Sequence, residues 1–217
     1  TGTNNTKASI ELTKEAEKLG ADGIMLVAPY YNRPNQEGLY AHFKAIAEAT
    51  SLPIMVYNIP GRTACNIEVD TIVKLSHIDN IVSVKEASGN LDAMAEIIER
   101  TDENFALYSG DDGLTLPVLA IGGKGIVSVA SHIVGNEMKE MIDLFNAGNH
   151  KSASAIHRKL LPTFQALFSA PSPAPLKAVL NLTGIPVGDV RLPLVPLSEE
   201  QIEILKSKIN LKDIKAS

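Results

Sequence analysis

The chain has 217 residues, 45% of hydrophobic types and 21% charged, near the averages of globular proteins, which excludes a disordered tail or a collagen-like polymer. At roughly 100–200 residues per domain, one large domain or two small ones fit this length. With 20 basic against 25 acidic residues the net charge is −5, a poor balance for gripping a phosphate backbone, so no nucleic-acid partner is expected.

A helix opens the chain: Asn5 or Thr6 can cap it, Ala8, Leu12, Ala16 and Leu19 fall on one face, and Gly20 stops it. Gly23 to Pro29 is a continuous apolar run without alternation, as expected for a parallel strand covered on both faces. The rhythm then repeats. A helix bearing Leu39, Phe43, Ile46 and Ala47 precedes the strand Pro53 to Tyr57, and a helix bearing Val69, Ile72 and Val73 precedes the strand Ile81 to Lys85. Asn90 caps a helix with Leu91, Met94, Ile97 and Ile98, and Phe105 to Tyr108 is extended. A short helical piece, Gly113 to Ile121, leads to the strand Gly125 to Val129, and a helix over about 136–147 closes the series. Three more helices are predicted near 152–169, 174–183 and 198–209, separated by Pro171, Pro173 and Pro175 and by the Gly- and Pro-rich stretch 184–196.

Repeated strand–helix units imply a parallel sheet with right-handed crossovers, either open and doubly wound or closed into a barrel. Tyr30, Tyr31, Tyr57, Lys85 and Asp111 all lie at or just past the C-terminal ends of successive strands, where a closed barrel gathers its site, and this favours the barrel. The expected fold is therefore a (β/α)8 TIM barrel, with residues 1–150 supplying about five of its eight units and 151–217 a C-terminal helical extension. Three N-terminal strands are expected to be missing from this chain, and residues 1–217 alone are expected to be inactive.

No apolar run approaches the roughly 18 residues of a membrane span, and Thr1-Gly2-Thr3-Asn4 has neither the basic start nor the apolar stretch of a signal peptide. The single cysteine, Cys65, excludes an internal disulfide and suits a reducing cytoplasm, the expected location; no evident base lies beside it, so it reads as a packing residue. The five histidines show no ligand spacing, and no metal site is expected. Gly122-Gly123-Lys124-Gly125 resembles a phosphate cradle but precedes a strand rather than opening a helix, and reads as a turn.

Lys85 is the sharpest chemical signal. It ends an apolar strand and so projects into the mouth above apolar walls, where desolvation lowers an amine's pKa and frees it for Schiff-base chemistry. A strand-end lysine can equally extend into solvent, and position alone leaves both open. Tyr57 ends the preceding strand and can place a phenol beside that amine to shuttle protons, or serve as a core tyrosine. Arg62, in a turn too rich in Pro and Gly to be helix interior, can grip a carboxylate with two parallel hydrogen bonds or simply be solvated. Tyr30-Tyr31 can pack at a subunit contact, and Ser109-Gly110-Asp111-Asp112 can cap the following helix.

Pro29-Tyr30-Tyr31-Asn32-Arg33-Pro34, Tyr57-Asn58-Ile59-Pro60-Gly61-Arg62-Thr63, Val84-Lys85-Glu86-Ala87-Ser88-Gly89 and Ser109-Gly110-Asp111-Asp112 together closely resemble the dihydrodipicolinate synthase family. Order, spacing and the helical tail match over essentially the whole chain. The resemblance implies a pyruvate-dependent class I aldolase-type lyase of lysine and diaminopimelate biosynthesis. Lys85 would form an imine with pyruvate, whose enamine attacks L-aspartate 4-semialdehyde, with no metal or organic cofactor. Tyr57 matches the family's proton-relay tyrosine, and Tyr31 the one that reaches into a neighbouring subunit's site. Arg62 matches the arginine holding the semialdehyde carboxylate. Gly110 and Asp111 match the second-substrate pocket, and the Val127 carbonyl a contact near pyruvate. A homotetramer built as a dimer of dimers is implied.

Two departures stand against that pattern. The family's Gly-Thr-Thr-Gly-Glu motif would lie upstream of Thr1, and Ala8 stands where lysine-inhibited relatives carry an acidic residue, although Asn4 and Tyr30 match their effector site. Weak or absent lysine feedback is therefore expected. The rival functions are N-acetylneuraminate lyase or a keto-deoxy-sugar acid aldolase of the same superfamily, which lack the Gly-Arg-Thr arrangement, and a noncatalytic small-molecule-binding barrel.

Overall fold

Among the described residues, five strands form one parallel sheet in strict chain order, each followed by helix, so every crossover is of the same kind. The computed structural model describes residues 1–209 and 211, which divide into two units, Thr1–Val127 and the described part of Ser128–Ser217. The first unit runs α1 (Thr6–Lys18), β1 (Ile24–Val27), α2 (Gln36–Ala47), β2 (Ile54–Asn58), α3 (Pro60–Thr63), α4 (Val69–Ser76), β3 (Ile81–Glu86), α5 (Leu91–Arg100), β4 (Ala106–Ser109), a 3-10 turn (Asp112–Leu114), α6 (Thr115–Ala120) and β5 (Gly125–Ile126). The second holds α7 (Ser131–Asn146), α8 (His150–Leu167), α9 (Ala174–Leu182) and α10 (Glu199–Lys208).

Asparagine starts three of the helices in the first unit. Asn5, Asn35 and Asn90 accept from Ala8 N at 3.0 Å, Gly38 N at 2.9 Å and Ala93 N at 3.1 Å, satisfying amides that the first helical turn leaves without partners. Each helix then turns an apolar stripe inward. Leu39, Phe43 and Ile46 of α2 are all fully buried, and each such side chain contributes about 1.5–3 kcal/mol by leaving water.

Register places the strands in rows. Leu26, Val56, Val84 and Leu107 are neighbours across the sheet and lie in the core, and the next row along, Val27, Tyr57, Lys85, Tyr108 and Gly125, faces the other way. That second face is the more open: Met25 is 40% exposed, so the uniform apolar run of β1 is not equally covered on both sides as its sequence predicts. A barrel sheet turns this face toward its own axis, away from the helical layer. The architecture is that of a (β/α)8 barrel, of which the described residues supply five strands.

Other boundaries differ from expectation for identifiable reasons. On α1 the buried residues are Ser9 and Thr13, while Leu12 and Leu19 are exposed, because hydroxyl pairing sets the inward face: Thr3 N donates to Ser9 Oγ at 2.9 Å and the Thr1 and Thr13 hydroxyls meet at 3.0 Å. Pro60-Gly61-Arg62-Thr63 forms a helical turn rather than an irregular one, since Pro at the first position has the helical φ and no amide to satisfy. Strand β5 is only two residues long, and α7 begins at Ser131, with non-helical backbone at Val134 inside it.

Candidate active site

The row at the C-terminal ends of the strands brings the candidate residues together. Tyr57 and Lys85 are direct register partners on β2 and β3, and the Lys85 Nζ lies 4.1 Å from the centroid of the Tyr57 ring. Both side chains are half-buried. Burial holds the Lys85 amine below the ordinary lysine range; the Asp112 carboxylate opposes this, and the Arg62 guanidinium adds to the lowering. Burial raises the Tyr57 phenol, against the pull of Arg62, so the hydroxyl keeps its proton at neutral pH. The combination is an amine that holds its proton less tightly than an ordinary lysine, beside a phenol able to donate.

Arg62 stands at the end of α3, exposed, and forms no ion pair among the described residues. Its guanidinium is therefore available to an external carboxylate. Gly110 abuts the lysine stem. A methyl group there would lie 2.7 Å from the Ala87 Cβ and 3.1 Å from the Lys85 Cε, so only glycine lets the β4 end approach the amine. Asp111 is exposed and its Oδ1 accepts from Gly113 N at 2.8 Å, the capping role that its spacing also allowed. Val127 N donates to Ser109 O at 2.9 Å, which extends the β4–β5 pairing beyond β5 and sets Val127 at the same end of the sheet.

Tyr31 is set apart. Its side chain is 87% exposed, its φ of 75° is uncommon for a residue with a side chain, and its amide donates to Thr63 O at 3.4 Å, beside Arg62. Cys65 is buried, with its thiol pushed upward by burial, as suits a packing residue. The glycine turn before β5 has no free cradle: the amides of Gly122, Gly123 and Lys124 donate to Leu119, Val118 and Leu107 carbonyls at 3.1, 2.8 and 2.8 Å.

Three polar residues inside the quoted motifs lie deeper than their sequence suggests, and only for Asp112 does the sequence offer a role, in capping. Asn58, Glu86 and Asp112 are all at least 98% buried, and Asp112 acts electrostatically on Lys85. Strand alternation could have found two of them, because Asn58 follows Val56 by two residues and Glu86 follows Val84 by two, which puts both on the core face.

(β/α)8 enzymes carry their sites at the C-terminal ends of the strands, where a partly desolvated amine can serve as nucleophile, and fold and site assign the chain to that class. The chain belongs to the dihydrodipicolinate synthetase family, whose model matches residues 1–212. It is 62% identical over 210 residues to 4-hydroxy-tetrahydrodipicolinate synthase 1 of Halalkalibacterium halodurans, covering 97% of this chain and 71% of that protein. The crystal structure of a dihydrodipicolinate synthase from Bacillus anthracis superposes with a TM-score of 0.95 at 57% identity, over 100% of this chain and 73% of the other. That of the Acinetobacter baumannii enzyme, complexed with pyruvate, superposes with a TM-score of 0.93 at 41% identity, over 98% and 72%. Among the described residues, no helix is long and apolar enough to cross a membrane.

Proposed function

We propose that the protein is a lyase condensing pyruvate with L-aspartate 4-semialdehyde to 4-hydroxy-tetrahydrodipicolinate, in lysine and diaminopimelate biosynthesis. The observation that carries this is the half-buried Lys85 amine over the Tyr57 ring, with the unpaired Arg62 guanidinium acting on both. The neutral amine attacks the pyruvate ketone carbon, and loss of water gives an imine. A proton leaves the methyl carbon, and the resulting enamine attacks the aldehyde carbon of the semialdehyde. The substrate's own amine then attacks the imine carbon and expels Lys85 as the ring closes. Tyr57 relays protons in these steps, Arg62 holds the semialdehyde carboxylate, Gly110 and Asp111 border its pocket, and the Val127 carbonyl lies near pyruvate. No metal or organic cofactor enters.

Exposure and the positive φ of Tyr31 support its donation to a neighbouring subunit's site in a homotetramer of paired dimers. The lone cysteine suits a cytoplasmic enzyme. Weak lysine inhibition belongs to the same reading, since the first turn of α1 has no acidic residue to hold the effector's ammonium group, and strong inhibition by submillimolar lysine would contradict it.

Borohydride reduction in the presence of pyruvate, followed by peptide mapping of the full-length protein, tests the chemistry. One reduced pyruvyl group on Lys85 is expected. A folded full-length protein without that adduct would sink the imine mechanism and leave a binding barrel in its place.

A further inference from the structure

Behind the catalytic row, on the core face of the sheet, lies a buried polar pair that the reaction steps do not use. Asn58 and Glu86 are register partners, 1% and 2% exposed, and each immediately follows a site residue, Tyr57 and Lys85 respectively. One Asn58 Nδ2 hydrogen goes to Glu86 Oε2 at 2.9 Å and the other to Asn66 Oδ1 at 2.9 Å, while Asn58 Oδ1 accepts from Ile67 N at 3.0 Å. Glu86 Oε1 accepts from Ser88 N at 2.6 Å. Every polar atom of the two side chains is engaged, and the direction of each bond is fixed: the Ile67 amide demands an oxygen at Asn58 Oδ1, which leaves only the amino group for Glu86. Asn66 and Ile67 begin two residues beyond the turn that carries Arg62, after Ala64 and Cys65, and Gln36 Nε2 donates to Asn66 O at 2.9 Å.

We propose that Asn58 and Glu86 are a positioning pair, tying the ends of β2 and β3 and the segment after Arg62 into one frame so that Tyr57, Lys85 and Arg62 keep their mutual geometry. Neither residue touches the reacting atoms. The inference rests on the imine chemistry of Lys85 proposed above. The pair fixes bond direction as well as burial. Asn58→Asp sets oxygen against the Glu86 oxygen. Glu86→Gln sets an amino group against that of Asn58 or against the Ser88 amide. Made together, the two changes reverse the pair: the new side-chain amide on β3 donates to the new carboxylate on β2, and the Ile67 and Ser88 amides keep their acceptors. The half of the network at Asn66 is kept by a turn of that residue's own amide, which then donates instead of accepting.

The test measures the rate of borohydride-trapped pyruvyl adduct on Lys85, per folded molecule, in the full-length wild type, both single variants and the double variant, with melting temperatures alongside. Each single variant is expected to trap about tenfold more slowly, and the double to return to within about threefold of wild type. Single variants that trap at the wild-type rate would overturn the proposal, as would a double that regains its melting temperature but not its rate. If a single variant fails to fold, the double is judged directly against wild type: within about threefold supports the pair, and about tenfold slower overturns it. A folded wild type that forms no adduct removes the imine reading itself, and the positioning role with it.

Discussion

The Lys85 Nζ stands 4.1 Å from the centroid of the Tyr57 ring, so the same tyrosine sets an aromatic face against the amine and carries the phenol that the proposed proton relay uses. The two functions separate in Tyr57→Phe, which keeps the ring and removes the hydroxyl. Pyruvate is expected still to be trapped on Lys85 in that variant, while kcat for the condensation falls about 10²–10⁴-fold, as for other lost acid–base groups. Unchanged kcat would remove the relay role.

Arg62 acts on Lys85 through its charge and is free to bind a carboxylate, and Arg62→Ala tests both. A guanidinium near an amine disfavours the ammonium form, so its removal lets the Lys85 pKa rise, and imine formation should move to higher pH. Because Arg62 is exposed, solvent screens this effect, and the larger loss should fall on semialdehyde use. A raised KM for the semialdehyde with pyruvate trapping preserved at high pH is expected. Unchanged semialdehyde kinetics would point to another aldehyde substrate.

Gly110→Ala addresses the close approach of β4 to the lysine. The added methyl lies 2.7 Å from the Ala87 Cβ, which cannot rotate away, and 3.1 Å from the Lys85 Cε. Overpacking of this kind costs about 1–3 kcal/mol, and the displaced stem should slow pyruvate trapping about tenfold. Denaturant unfolding and adduct kinetics on one preparation read both, and wild-type values in both would show that the loop yields freely.

Much of this arrangement is legible from the chain alone because its physics is local. An apolar strand that ends in lysine fixes where Lys85 emerges, and the asparagines at positions 5 and 90 mark helix starts through a side chain and an amide three residues apart. Contacts between distant segments are not legible in the same way. The inward face of α1 follows Ser9 and Thr13 rather than Leu12, since partners at Thr3 and Thr1 outweigh hydropathy there. Asn58 and Glu86 read as ordinary motif members until register sets them side by side. The glycine at position 110 similarly gains its meaning only when Ala87 and Lys85 are seen against it.

His42 supplies a stability prediction remote from the chemistry. On α2 it is 6% exposed, its Nδ1 meets the Thr6 hydroxyl of α1 at 2.9 Å, and its buried Nε2 has no hydrogen-bond partner among the described residues. Burial lowers its pKa below the ordinary histidine value, so the folded protein favours the neutral ring. The unfolded chain takes up the proton near pH 6.5, and below that value it binds more protons than the folded state. The contribution of neutral His42 is therefore fully present above about pH 6.5 and is lost as pH falls from there toward the lower folded pKa. Between pH 7.5 and 5.5 this one group is expected to remove at most about 1.4 kcal/mol. His157, also depressed by burial and by Arg158, should act in the same direction. Replacing the imidazole in His42→Gln should flatten the fall in unfolding free energy over that interval, measured by denaturant titration at both pH values. Equal falls in wild type and variant would mean that the buried ring is protonated in the folded protein as readily as in the unfolded chain.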